Sequence, residues 1–139
     1  MRLLAIDFGN KYIGLAVTDP LKITARPFKT LKNGPDVTKE IAKICIDEEV
    51  EKIILGLPRS LDGTINQQAE KTLEFQKSLA KEVKNIPIEL EEEQFTTKIA
   101  HENLRDQKKS VRESKEIVNQ EAAYLILQSY LESHQNNHD

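Results

Sequence analysis

The chain has 139 residues, 31% of them charged, with a formal net charge of −3, one cysteine and no tryptophan. That length fits one domain with a core of its own; no run approaches the ~20 apolar residues of a membrane helix, and no signal-peptide pattern opens the sequence. A single cysteine excludes an internal disulfide and fits a cytoplasmic setting, and the acidic balance means that any nucleic-acid partner needs a local cationic patch.

Strands are predicted at 2–7, 12–18 and 22–30, with Gly9-Asn10 as turn chemistry between the first two. Pro27 marks the third as an edge strand, because proline cannot donate to a ladder. The cluster Asn33-Gly34-Pro35-Asp36 ends this meander. Val37, Ile41, Ile44 and Cys45 then fall at helical spacing, which places Cys45 in the core rather than at a reactive site. Lys52–Gly56 reads as a short buried strand of the parallel type. After the loop "LPRSLDG", Thr64 and Gln67 form a capping box for a helix to about Lys84. "IPIEL" is a fifth strand running into Glu91–Glu93. "TTKIAHENLRDQ" and "ESKEIVNQEAAYLILQSYLESH" read as helices joined by a basic bend, within a single domain over 1–134 and a frayed tail over 135–139. Three consecutive strands followed by strand–helix alternation give an α/β fold, a mixed sheet with helices on its faces.

Within this frame Asp7 is out of place. It interrupts an apolar strand, where a lone buried carboxylate costs several kcal/mol unless it is paired, hydrogen-bonded or bound to a metal. It is either a strand-end turn former or an ion ligand. Ligands gather where strand carboxyl ends converge, and both Asp7 and Glu91–Glu93 end strands. Alternation puts Glu92 on one face and Glu89, Glu91 and Glu93 on the other, without saying which face matters. On the last helix, Asn119, Ala123, Ile126, Leu127 and Tyr130 fall on one stripe. Asn119 is the polar residue at its upstream end, with Glu116 within reach of the same face. Carboxylates collected from separate elements suit Mg2+ or Mn2+ in phosphodiester cleavage, where the cations reverse the repulsion between acid and phosphate.

Four segments in order resemble the YqgF/RuvX-like family of pre-16S rRNA nucleases and Holliday junction resolvase homologues. "IDFGNKYIGLAVTDP" is similar to the family's opening D-x-G-x-x-x-I-G-x-A-x-[ST]-D-P, and "GLPRSLDGT" resembles its G-L-P-x-x-x-D-G-[ST] loop. "EEQFTT" resembles its D-E-R-L-T-T, and "VNQEAAYLILQSYLE" its terminal V-D-x-x-A-A-x-x-I-L-Q-x-Y-L helix. The resemblance implies a ribonuclease H-like fold: a five-stranded mixed sheet, its first three strands antiparallel, flanked by helices. It also implies Asp7, Glu93 and Asn119 as catalytic and metal-binding positions for Mg2+ or Mn2+, with Glu92 and Glu116 as secondary candidates. Three departures stand out, the first being Glu92 in place of the aspartate of D-E-R. Asn119 replaces the family's third acid, and Gln94 replaces an arginine. The implied substrate is the 5′ end of precursor 16S ribosomal RNA. A Holliday junction, or a noncatalytic role in RNA binding with ribosome-assembly factors, are the alternatives, in a monomer or homodimer.

Nucleic-acid contact is expected from Lys11 and Arg59 beside the rim. It is also expected from Arg105, Lys108, Lys109, Arg112 and Lys115, which outweigh Asp106 and Glu113 by +3 within "RDQKKSVRESK". "DFGNKYIG" also resembles the first phosphate-binding hairpin of actin-like ATPases. There is no second such hairpin and no P-loop, and there is room for one domain rather than the two that enclose a nucleotide.

Overall fold

The structure is a computed structural model that describes residues 1–58, 67–93 and 111–135. Five strands, β1 (Arg2–Phe8), β2 (Tyr12–Thr18), β3 (Ala25–Lys32), β4 (Val50–Pro58) and β5 (Ile88–Glu93), form one sheet in the order β3-β2-β1-β4-β5. The first three run antiparallel, whereas β1–β4 and β4–β5 are parallel. β3 is an edge strand, as Pro27 requires, and its ladder shifts register opposite Leu15 and Ala16. Three helices accompany the sheet among the described residues: α1 (Val37–Asp47), α2 (Gln67–Glu82) and α3 (Val111–Gln135).

β1 is central and covered on both faces, which explains its unbroken apolar run. Leu4 and Ile6 look toward α1 and α2, joining Ile41, Cys45, Phe75 and Leu79 in one core. Leu3 and Ala5 look the other way, joining Ala123, Ile126, Leu127 and Tyr130 of α3 in a second. The expected stripe on the last helix is therefore its buried face. The α3 side of β1 and β2 is paved with small residues, Ala5, Gly14 and Ala16. A Cβ on Gly14 would stand 1.9 Å from the Asn119 carbonyl oxygen. Only glycine lets α3 settle this close.

β3 starts later than the sequence suggests because Asp19 organises the residues before it. Its Oδ1 accepts from the Ile23 and Thr24 amides at 2.8 and 2.7 Å, and Oδ2 from Leu21 at 3.1 Å. The backbone bond from Thr24 leads in holding its carboxyl below the usual range; burial opposes it, and the bonds from Ile23 and Leu21 tip the balance further down. Lys22 adopts φ 60° inside this loop. Thr18 is fully buried and its Oγ1 accepts from the Leu3 amide at 2.9 Å. Both residues of the "TD" pair thus serve the hairpin. α3 starts at Val111, so part of the expected basic bend is helical. Thr64 and the helix expected over 96–107 lie outside the described residues, as does the tail beyond 135. Among the described residues no helix is long and apolar enough to cross a membrane.

Candidate active site

Asp7 is the penultimate residue of β1, pairs with Gly14 and is only 6% exposed. Alternation from Leu3 and Ala5 sets it on the α3 face of the sheet. Asn119 comes to the same spot from above. Its backbone crosses Gly14, the pairing partner of Asp7, and its Oδ1 lies 3.9 Å from where a Gly9 Cβ would stand. The two polar residues singled out in apolar patterns therefore meet at the carboxyl end of β1. Asn33 braces this end: its side-chain amide donates to the Gly9 carbonyl at 2.9 Å and its backbone amide to Lys11 at 2.8 Å.

The register of β5 settles which glutamates share that face. Ile54, which packs on α3, pairs with Glu89; Gly56 pairs with Glu91 and Pro58 with Glu93. Positions 89, 91 and 93 thus lie on the Asp7 side. Glu92, opposite Leu57, alternates with Leu90 and Ile88 onto the α1/α2 side. Because Ile6 pairs with Leu55, Asp7 is level with Gly56 and hence with Glu91, while position 93 is one pleat nearer the rim. Burial pushes the Glu91 carboxyl up from its usual range; the His134 charge opposes this, and Glu89 and Glu92 reinforce it.

Two contributions had no signal of their own in the sequence. Glu91 shares the face of Asp7, which emerges only from the β4–β5 register. Gln68 of α2 donates to the Phe8 carbonyl at 3.3 Å, and Phe75 stacks on Phe8 with ring centroids 4.6 Å apart, so α2 clamps the residue after Asp7. Lys11 is exposed at the rim. Arg59, Arg105, Lys108 and Lys109 lie outside the described residues, as do the side chains of Glu93, Arg112, Lys115 and Glu116. Among the described residues no three His, Cys, Asp or Glu side chains converge as a metal-ligand group. What is described of the site is a carboxylate and an amide, both hard oxygen donors of the kind Mg2+ and Mn2+ prefer.

Comparison with known proteins bears on the family and the fold. Residues 1–133 match the family model described as RuvX, Holliday junction resolvase. A Clostridium novyi protein named "Putative pre-16S rRNA nuclease" is 42% identical over 135 residues, covering 96% of this chain and 99% of that one. A Clostridium acetobutylicum protein of the same name is 40% identical with the same coverage. Among solved structures, Thermus thermophilus RuvC in complex with Holliday junction substrate superposes with a TM-score of 0.53 at 16% identity, covering 91% of this chain and 92% of that one. The fowlpox virus Holliday junction resolvase gives 0.56 at 15%, covering 96% and 99%. At those identities the likeness speaks for the fold, which is the expected ribonuclease H-like sheet. With a family match over nearly its whole length and relatives near 40% identity, the chain belongs to the RuvX nuclease family.

Proposed function

We propose that this protein is a metal-dependent nuclease acting in the cytoplasm on precursor 16S ribosomal RNA. The observation that carries the reading is the meeting of buried Asp7 with Asn119 across Gly14, at the strand end toward which position 93 also runs. The names of the clostridial relatives favour RNA as the substrate. A four-way DNA junction is the alternative, and cutting it symmetrically would call for a homodimer.

In the reaction, water attacks phosphorus in line and the P–O bond opposite breaks, the leaving oxygen taking a proton. Asp7, Glu93 and Asn119 would hold Mg2+ or Mn2+, which when bound neutralises phosphate charge and polarises the scissile bond. Asp7 brings a carboxyl group on a strand whose preceding residues Leu4, Ala5 and Ile6 are fully buried, so its position is fixed before a cation arrives. Asn119 adds an oxygen donor without charge. Lys11 at the rim draws the phosphate in.

The neutral amide of Asn119 also supports a second reading, an RNA-binding or ribosome-assembly module without catalysis. Incubating labelled precursor RNA and branched DNA with manganese separates the two. The nuclease reading expects cleavage by the wild type and a loss of at least about a hundredfold in Asp7→Asn, the scale of removing one electrostatic stabiliser. Cleavage that survives Asp7→Asn rejects the site, and salt-sensitive binding with no cleavage favours the module.

A further inference from the structure

The outer edge of the sheet carries a charge pattern that the site does not use. Among the described residues β3 has no strand partner on its outer side, and its Arg26, Lys29 and Lys32 are all exposed. Residues 20–35 contain four cations and no acid, in a chain of net charge −3. Lys22 is paired with Glu51, but Arg26, Lys29 and Lys32 make no salt bridge among the described residues. The Phe28 ring lies between two of them, with the Arg26 guanidinium carbon 6.0 Å and the Lys29 Nζ 5.5 Å from its centroid. At about 3.3 Å per residue, Arg26 to Lys32 spans about 20 Å of edge with a cation near every 10 Å. By register Lys32, opposite Tyr12, lies on the Asp7 face. Arg26 and Lys29, opposite Val17 and Leu15 of the α1/α2 core, lie on the other, so a strand would run along the edge itself.

The row leads to the active site. Lys32 pairs with Tyr12, and Asn33 then binds the backbone of Lys11 and Gly9, the turn that follows Asp7. Charges on an edge strand also discourage edge-to-edge pairing. Lysine is favoured for that purpose, but protection alone does not require the cations to continue to the turn that follows Asp7. An added peptide strand is the poorer occupant, since Pro27 has no N–H to offer and the register shift kinks the edge. A phosphate backbone needs only spaced cations.

We propose that the β3 edge binds a single-stranded flank of the RNA substrate through its phosphates and guides it toward Asp7. The identity of the strand rests on the nuclease reading; the edge adds the route. The test compares the wild type with the triple variant Arg26→Gln, Lys29→Gln, Lys32→Gln. A control variant, Lys71→Gln, Lys77→Gln, Lys81→Gln, makes the same charge change on exposed positions of α2. Binding of fluorescent single-stranded RNA is titrated against salt in EDTA, and cleavage is followed separately with manganese. The edge variant is expected to bind at least about tenfold more weakly, with a salt slope shallower by about two, as three lost phosphate contacts on a single strand imply. The α2 variant should stay within about twofold of wild type. An edge variant that binds like the α2 variant overturns the proposal. Should the edge variant fail to fold, acetylation of wild-type Lys29 and Lys32 gives the same answer: RNA must protect both, and no protection overturns it. Wild type that binds RNA through the edge without cutting it sinks the nuclease reading and supports the edge. Cutting with an inert edge does the reverse.

Discussion

Replacing a carboxylate by an amide changes the charge of an oxygen cluster while leaving its shape almost intact. Asn119 sits where the family resemblance implies an acid, on the face of the sheet that carries Asp7, a carboxylate that is 6% exposed. With one negative charge fewer, the cluster attracts a divalent cation less, but it also suffers less repulsion when no cation is bound. Asn119→Asp should therefore act in opposite directions with and without metal. In EDTA the variant is expected to melt below wild type, because a second carboxylate, half-buried, then confronts the buried Asp7. In manganese it should gain more melting temperature than wild type does and cleave faster at limiting metal. Thermal melts in the two buffers check this, and a variant whose melting responds to manganese no more than wild type does would contradict it. The residues behind this prediction were legible in the sequence for one reason: each is polar in a pattern that is otherwise apolar. Glu93 was not legible in that way. Alternation divided the glutamates into two sets, but choosing between the sets needs the pairing of Ile54 with Glu89, a long-range register that no local pattern contains. Glycine was equally silent. That Gly14 exists to admit the backbone of Asn119 follows from a contact between residues more than a hundred positions apart.

At the scale of elements, β5 is tied to the rest of the molecule by a small polar cluster as well as by its ladder. Lys52 Nζ donates to Glu89 Oε2 at 3.3 Å and to the Tyr130 hydroxyl at 3.2 Å, and that hydroxyl donates to Glu89 at 3.1 Å. Three elements, β4, β5 and α3, thus meet at one point. Burial alone would push the Glu89 carboxyl up, but the hydrogen bonds from Tyr130 and Lys52, with the charge of Lys52, bring it below its usual value. A carboxyl lowered by folding contributes stability above its unfolded value, about 4.3, and loses it as pH falls through the folded one. The cluster is partly open to solvent, which keeps its worth to about 1 kcal/mol or less. Glu89→Gln should melt slightly below wild type at pH 7, and the two should converge as pH falls through the folded value of the carboxyl; a difference that persists unchanged in acid would refute the assignment. Elements themselves were largely readable. β1, β2, α1 and the buried stripe of α3 emerge from periodicity, and Pro27 alone placed β3 at the edge. The start of β3 was not readable, because the loop held by Asp19 through three backbone amides mimics strand composition. The cationic row on β3 was missed as well. Its members are spaced among apolar residues, whereas the dense run at 105–115 attracts the eye.

The described residues form one sheet between two cores, and the proposed site lies on one side of it. Cys45 belongs to the other side, in the α1/α2 core, 2% exposed and with burial pushing its thiol up to about 11. At pH 8 its thiolate fraction in the folded state is therefore roughly one in a thousand, and a reagent must also wait for the core to open. Alkylation of Cys45 consequently reports global opening from the face opposite Asp7. Because β1 contributes Leu4 and Ile6 to one core and Leu3 and Ala5 to the other, neither core can be lost while the sheet stays intact. A cation bound beside Asp7 must then protect Cys45 across the full thickness of the sheet. The size of the effect follows from mass action: about 2.7 kcal/mol of added stability at a hundredfold excess over the dissociation constant. The urea midpoint for Cys45 alkylation should rise with manganese in wild type, coincide with the midpoint for loss of helix, and stay put in Asp7→Asn. If manganese shifted the helix signal but left Cys45 unprotected, the α3 layer would be opening on its own, and the sheet would not be the single cooperative unit that its two-faced strands imply.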